Sequence, residues 1–368
     1  MSGNGTIAFF LPSLRGGGAE RVMVNLAQGM VERGIRVDLV LASAEGTFLD
    51  HVPAGARVVD LRSRRVLRSF GPLVRYLRRE RPRALVSSMS HANLVALWAS
   101  RLAGQGTPVV ATVHNTMSQS TRRNGRLAAG LWPRLLRAFY PWAASVVSVS
   151  RGAADDLARS SGLPRERMEV VYNPVITPGM LALARQAPDH PWFAAGEPPV
   201  LLGVGRLTAQ KDFPTLIRAF AEVRRRRPAR LLILGEGEDR PVLTALAAEL
   251  GVADDVDMPG FQENALAYMG RSAVFVLSSA WEGLPTVLIE ALAAGTRVVS
   301  TDCPSGPREI LQDGRLGALV PVADPDALAE AILATLDRSP GAVPLDALTP
   351  FMRDTAVDHY LRLIEKAR

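Results

Sequence analysis

The chain has 368 residues, 48% of them apolar, a net charge of +7 and a single cysteine, Cys303. At roughly 150 residues per domain that length allows two domains, and the apolar content excludes a disordered chain. One cysteine excludes a disulfide-stapled fold and fits a reducing cytoplasm, and the longest uncharged stretches carry His, Asn and Ser, so no bilayer span is expected.

The polar opening from Met1 to Gly5 precedes too short an apolar run for a secretory signal, so a cytoplasmic protein is expected. Charge is unevenly placed. Residues 1–172 hold 24 arginines against 11 acidic residues, whereas residues 173–368 hold 19 basic against 25 acidic. A basic first half points to an anionic partner there: a membrane surface, a phosphate-bearing substrate or nucleic acid. Lysine occurs only at Lys211 and Lys366. In a chain that otherwise builds its cations from arginine, Lys211 stands out as a compact ammonium.

In chain order, Thr6–Leu11 reads as a strand, followed by a glycine turn and a helix from Ala19 to about Arg33. Arg36–Leu41, Ala84–Ser88, Val109–Val113 and Ser145–Ser150 follow as strands, with helices over 70–81, 91–103, 126–142 and 151–160. The cycle restarts after a Pro- and Ala-rich connection at 171–199. Val200–Val204, Arg230–Leu234, Val256–Met258, Val274–Ser278, Arg297–Ser300 and Ala318–Val320 are the expected strands. Helices are expected near 214–227, 239–250, 263–270, 285–294, 306–311 and 326–337. Alternating strands and helices predict parallel βαβ units, hence an α/β protein of two doubly wound Rossmann-like domains facing a cleft. The expected boundaries are 1–172 and 173–350, with a final helix at 351–368 returning to the first domain.

Candidate functional residues gather in the turns that follow strands, where open α/β sheets bind ligands. Gly16-Gly17-Gly18 opens a helix, and its free N–H groups suit a phosphate, though a flexible loop is the plain alternative. It is not a dinucleotide fingerprint. His114-Asn115 follows the fifth strand, where a sugar hydroxyl or a phosphate is a credible partner and a packing role the alternative. Arg206 and Lys211 share one loop and suit a diphosphate, the competing reading being two solvated cations. Glu282 lies in a Gly-Pro turn and Glu290 in an apolar helix, where an ionised group is costly without polar partners. Each carboxylate suits a sugar or ribose diol, and solvent-facing acids are the alternative.

Taken together, Gly16–Arg21, Gly203–Asp212, Leu231–Glu238, Ser278–Glu290, Gly295 and Ser300–Glu309 resemble the retaining glycosyltransferases of family 4, which have the GT-B fold. The resemblance covers nearly the whole chain. It implies transfer of a sugar from a nucleotide sugar with retention at the anomeric carbon. Arg206 and Lys211 would stabilise the departing diphosphate, Glu290 would hold the ribose, and Glu282 the donor sugar's hydroxyls. Gly17 and Gly18 would approach the phosphates, and His114 would meet the sugar from the opposite domain. Gly283, Leu284 and Thr286 would offer backbone groups to the diphosphate, and backbone near Gly235 and Phe261 would read the base. No Asp-x-Asp metal clamp is present, so no metal or other cofactor is expected, and a front-side mechanism follows from the want of a second carboxylate as nucleophile.

On the acceptor side, nine arginines and one glutamate occupy 62–83, and 122–142 mixes arginines with Trp132, Phe139, Tyr140 and Trp142. That composition predicts peripheral contact with an anionic membrane and disfavours nucleic acid, for which no recognition module is visible. The resemblance is strongest to bacterial enzymes that build lipid-linked oligosaccharides and surface polysaccharides. It implies a UDP-sugar donor such as UDP-N-acetylhexosamine, a lipid-linked or polysaccharide acceptor with Arg75, Arg78 and Arg79 on its diphosphate, and work at the inner face of the cytoplasmic membrane. The competing readings are a catalytically silent nucleotide-sugar-binding scaffold and a GT-B nucleotide-sugar epimerase.

Overall fold

A computed structural model describes residues 5–15, 17–114, 116, 125–338 and 343–367; the side chains of 125–130 and 345 are outside that description. Gly16, Asn115 and the arginines at 122 and 123 therefore lie outside the described residues. The chain divides into two compact units, residues 1–175 with 350–368, and residues 176–349.

The first unit is a seven-stranded parallel sheet in the order β3-β2-β1-β4-β5-β6-β7. Its strands are β1 (Ile7–Leu11), β2 (Val37–Leu41), β3 (Ala56–Asp60), β4 (Ala84–Ser88), β5 (Val109–Val113), β6 (Ser145–Ser148) and β7 (Met168–Val170). Five of them are buried throughout or nearly so, as a sheet covered on both faces requires. Helices α1 (Gly18–Glu32), α2 (Phe70–Glu80), α3 (Ser90–Ala103), α4 (Gly125–Phe139) and α5 (Arg151–Ser161) make the crossovers. One face buries Leu73, Leu77, Val95 and Leu157 from α2, α3 and α5 against Leu85 and Val113. The other buries Met23 and Leu26 of α1 against Ile7, Phe9 and Val110.

Two strands escape the hydrophobic pattern. β3 is an edge strand with most of its residues exposed, and β7 has only three residues, so neither carries an apolar run long enough to read. β3 is held instead by polar bonds at the amino-terminal half of the sheet. Asp38, 3% exposed, accepts from Arg57 Nε at 2.9 Å and from the Tyr76 hydroxyl at 2.6 Å, while Arg57 also pairs with Glu80 at 3.0 Å. Burial, with the bond to Asp38, pushes the Tyr76 phenol well above its ordinary range.

The second unit is a six-stranded parallel sheet in the order β10-β9-β8-β11-β12-β13. It comprises β8 (Val200–Val204), β9 (Arg230–Leu234), β10 (Val256–Gly260), β11 (Val274–Leu277), β12 (Val298–Thr301) and β13 (Ala318–Val320). Its principal helices are α6 (Phe213–Arg226), α7 (Arg240–Glu249), α8 (Ala265–Arg271), α9 (Thr286–Ala293) and α10 (Pro325–Asp337). Phe213, Leu216, Phe220, Leu231, Ile233, Val276 and Ile332 centre its core. Each such fully buried side chain contributes about 1.5–3 kcal/mol.

The chain then returns to the first unit through α11 (Arg353–Lys366), whose Val357, Tyr360 and Ile364 join the core behind α1. Among the described residues no helix is long and apolar enough to cross a membrane.

Candidate functional site

In each sheet the strands are parallel, so every strand delivers its following loop to the same edge. Strand order reverses between β8 and β11 in the second unit and between β1 and β4 in the first. A crevice at such a switch point is where this architecture seats ligands.

In the second unit the loops flanking the switch point carry Arg206 and Lys211 after β8, and Glu282 after β11. Lys211 Nζ lies 2.6 Å from Glu282 Oε1, with both side chains largely buried. Ser279 Oγ donates to the same oxygen at 2.7 Å, and Gln210 Nε2 approaches Oε2 at 3.4 Å while donating to the Trp281 carbonyl at 3.1 Å. Ala280 N donates to the Gln210 carbonyl at 2.9 Å, and Ser278 Oγ to that of Lys211 at 2.7 Å. The two loops are thus stitched together by side chain and backbone. Glu282 is not the solvent-facing acid that an isolated turn carboxylate suggests: it is 7% exposed and ion-paired. Gln210 and Ser279, which organise the pair, are missed by sequence reading because only their place beside Lys211 and Glu282 gives them meaning.

Arg206 is exposed, with no side-chain hydrogen bond or ion pair among the described residues. Thr286 opens α9, whose first turn has no side-chain cap. The N–H groups at that helix start are a ready seat for an anion. Glu290, one turn further on, is 5% exposed and engaged in a polar interaction. Gly283 and Leu284 lead into the helix and are buried. Their path is braced from the loop after β12, where Ser305 Oγ donates to the Gly283 carbonyl at 2.7 Å. A Cβ on Gly306 would sit 2.5 Å from Pro285 Cδ, so the next residue has to be glycine for the two loops to meet.

Gly235 follows β9 at φ 137°, and a Cβ there would lie 2.0 Å from the Gly205 carbonyl oxygen. Its N–H donates to Gly260 O at 2.9 Å, which ties it to the end of β10 beside Phe261. Phe261 is 75% exposed, a large apolar ring left facing solvent. Arg240 clips these loops together, donating to Met258 O at 2.7 Å and to Glu236 Oε1 at 2.7 Å. Buried Cys303 is not a nucleophile, since burial and then the Glu282 charge push its thiol up to about 12.

In the first unit, Gly17 caps α1 without any side-chain bond and Gly18 is exposed at its start, while the Glu20 carboxylate lies against Gly17, 2.4 Å from where a Cβ would stand. Across it, Met89 turns the chain from β4 into α3 at φ 78°, a strained value for a bulky residue. His114 leaves β5 one strand further on. Thr112 Oγ1 donates to Ser87 O at 2.8 Å, so it accepts from His114 Nε2 at 3.1 Å. The proton therefore sits on Nε2, and Nδ1 presents a lone pair. Nδ1 is buried and has no partner among the described residues. Burial drops this imidazole from 6.5 to about 4, so it is neutral near pH 7.

The three arginines expected on an acceptor diphosphate are not equivalent. Arg78 Nη2 donates to Leu102 O at 2.9 Å, capping the carboxyl end of α3 at the amino-terminal edge of the sheet. Arg79 pairs with Glu80 at 2.8 Å. Both are exposed and stand on the last turn of α2, at the edge of the sheet away from the glycine turn and His114. Arg75 is exposed and carries no ion pair among the described residues.

Residues 16–177 match the family model described as Glycosyltransferase Family 4, and residues 187–343 the model described as Glycosyl transferases group 1. The lipopolysaccharide core biosynthesis glycosyltransferase LpsE of Rhizobium meliloti is 30% identical over 360 residues, 95% of this chain and 96% of that protein. Campylobacter jejuni N-acetylgalactosamine-N,N'-diacetylbacillosaminyl-diphospho-undecaprenol 4-alpha-N-acetylgalactosaminyltransferase is 30% identical over 249 residues, 68% of this chain and 66% of that protein. Among solved structures, Anabaena Alr3699/HepE in complex with UDP and glucose superposes with a TM-score of 0.79 at 20% identity, over 98% of this chain and 99% of that one. The lipopolysaccharide outer core galactosyltransferase WaaB superposes at 0.73 with 20% identity, over 98% and 99%.

Proposed function

Since the chain belongs to glycosyltransferase family 4 and has the GT-B fold, we propose that it moves a sugar with retention from a UDP-linked donor, such as a UDP-N-acetylhexosamine, onto a lipid-linked or polysaccharide acceptor. The work is assigned to the inner face of the cytoplasmic membrane, with the protein peripheral to it. A UDP-bound neighbour and relatives that build lipopolysaccharide and lipid-linked glycans support the donor and acceptor classes.

The observation that carries the reading is the stitched pair of loops at the β8/β11 switch point. Arg206 stands open there, the α9 terminus is uncapped, and Lys211 is held by Glu282. In this reading Arg206 and the α9 N–H groups grip the diphosphate and stabilise the charge that develops as it departs. Lys211 exchanges part of its contact with Glu282 for a phosphate oxygen, which frees Glu282 to accept from sugar hydroxyls. Glu290 holds the ribose, while Gly235 and Phe261 frame the base. In the first unit, His114 Nδ1 accepts from a sugar hydroxyl, and Gly17 and Gly18 approach a phosphate once the Glu20 carboxylate turns away.

The chemical step follows a front-side course. The bond from the anomeric carbon to the diphosphate oxygen breaks, and a bond to the acceptor oxygen forms on the same face. The acceptor's proton passes to the departing phosphate oxygen, so no enzyme carboxylate serves as base or nucleophile. Positive charge comes from Arg206 and Lys211, and turnover is expected to persist in EDTA.

Incubation with a panel of UDP- and GDP-sugars, with and without polyprenyl-diphosphate glycan, tests the whole reading through nucleotide release and the product's anomeric configuration. A UDP-sugar should turn over only with acceptor present and yield a retained linkage, and Arg206→Ala should lower kcat at least about a hundredfold. Tight donor binding without turnover on any acceptor would instead make the protein a nucleotide-sugar scaffold. An inverted product would overturn the front-side course.

A further inference from the structure

Between Leu61 and Ala154 the chain carries 16 arginines and one acidic residue, Glu80. This stretch supplies α2, α3 and α4, which with α5 cover one face of the first unit's sheet. A stretch so depleted in carboxylates cannot neutralise itself. Arg64 and Arg65, just before the 3-10 turn (Val66–Ser69) that leads into α2, and Arg68 within it are exposed and have no ion pair among the described residues.

The same layer exposes apolar surface in one connected strip. Leu67, at the centre of that turn, is 68% exposed. With Phe70, Val95 and Trp98 it lines a groove of about 270 Å³ between the start of α2 and the outer side of α3. Trp98 packs edge-on against Phe139 at 5.3 Å, and Phe139 against Trp142 at 4.9 Å. Trp142 is 45% exposed, and the Arg101 guanidinium stacks on it at 5.6 Å. A lone exposed leucine is ordinary, but an open apolar groove continuous through partly buried Trp98 with half-exposed Trp142 and flanked by unpaired arginines is not. Hydrocarbon below, aromatic rings between and guanidinium groups at the rim is the layering that a bilayer interface presents in mirror image.

We propose that this face docks on an anionic phospholipid bilayer, with Leu67 entering the hydrocarbon boundary and the Leu67/Phe70/Val95/Trp98 groove receiving an acyl chain. Arg64, Arg65 and Arg68 meet the phosphates, while Trp142 and Arg101 sit at headgroup level. The inference deepens the membrane-associated reading given above by naming the surface, and it centres the contact on the start of α2 rather than on its last turn, where Arg78 caps α3 and Arg79 pairs with Glu80. It also brings the start of α2, which follows the carboxyl end of β3, down to the lipid. The ligand edge of the first unit thereby lies within reach of an acceptor anchored in the same bilayer.

The test is co-sedimentation of the full chain with phosphatidylglycerol vesicles, against phosphatidylcholine vesicles, together with quenching of tryptophan fluorescence by lipid brominated in the acyl chain. The wild type should bind phosphatidylglycerol, release as salt is raised, and be quenched. Leu67→Asp should weaken partitioning at least about tenfold and abolish most quenching. The triple substitution of Arg64, Arg65 and Arg68 by Ser should weaken it by about fivefold per residue. Both variants should keep the wild-type Tm and the wild-type rate with a short, water-soluble acceptor analogue. Wild-type partitioning by both variants, or equal binding to phosphatidylcholine, overturns the proposal. So does concentration-dependent self-association that Leu67→Asp abolishes, because the face would then belong to a second copy. A protein that binds vesicles as described yet turns over no nucleotide sugar would defeat the transferase reading and leave this one standing.

Discussion

His114 has its tautomer fixed by a chain of donors that ends on a strand carbonyl: Thr112 donates to Ser87 O, which obliges Nε2 to carry the imidazole proton. Because burial lowers this pKa from 6.5 to about 4, the unfolded chain binds more protons than the folded one between those values. Stability is therefore whole above about pH 6.5 and falls as pH drops through that window, by about 2 kcal/mol at about pH 5. His114→Gln should show a loss smaller by that amount between neutral pH and about pH 5, read from urea midpoints. An unchanged pH dependence would mean that the ring takes up its proton without cost. The sequence marks His114 by its place after a strand, but the tautomer depends on Thr112 and Ser87, which no spacing links. Glu282 teaches the same lesson. Its partner Lys211 is distant in sequence, and the scarcity of lysine was the one local hint that this ammonium has a task. Breaking such a buried pair costs about 3–5 kcal/mol.

The elements divide by how much apolar surface they bury. β1, β2, β4, β5, β8 and β9 lie where their largely apolar runs predict, because a strand covered on both faces has little polar side to blur the pattern. β3 is invisible to that logic: its hold is polar, through Arg57 to Asp38 and Glu80. The arginines of α2 were legible as a basic face and not as two populations, since the capping of α3 by Arg78 appears only when the helices are packed. The final helix docks by close approach as well as by charge. A Cβ on Gly29 of α1 would lie 2.8 Å from Val357 Cγ2, and Arg353, 3% exposed, pairs with Glu32. Gly29→Val should overpack this seam and destabilise the first unit by about 1–3 kcal/mol. Hydrogen exchange should rise first across 353–364. Protection unchanged there, with a lowered Tm, would place the strain elsewhere.

For the molecule as a whole, the second unit is an insertion: the chain leaves the first unit after Val175 and re-enters it at Pro350. The two crossings are tied within the first unit, where Val175 N donates to Phe351 O at 3.0 Å and Tyr172 packs on Phe351 at 5.2 Å. The inserted unit has its own sheet and its own core. Residues 176–349 expressed alone should unfold in one cooperative transition, and should bind UDP if the donor assignment is right. Calorimetry and titration separate those two outcomes, and a fragment without a cooperative transition would mean that the core needs the rest of the chain. Two alternating halves were legible in the sequence because the hydrophobic period restarts after residue 199. The return of α11 was legible as an expectation, since an amphipathic helix beyond a completed sheet has to bury its apolar side somewhere.

The Lys211–Glu282 pair also bears on covalent chemistry. With only two lysines, the chain offers acylating reagents Lys366, exposed on the last turn of α11, Lys211 and the chain's α-amine. Lys366, exposed and remote from the pair in sequence, serves as an internal standard. Lys211, held 2.6 Å from a carboxylate and largely buried, reacts only in the fraction of time that this contact is open. The ratio of the two labels, read by mass spectrometry, makes the protein its own gauge of how far that clasp is released when a nucleotide sugar arrives.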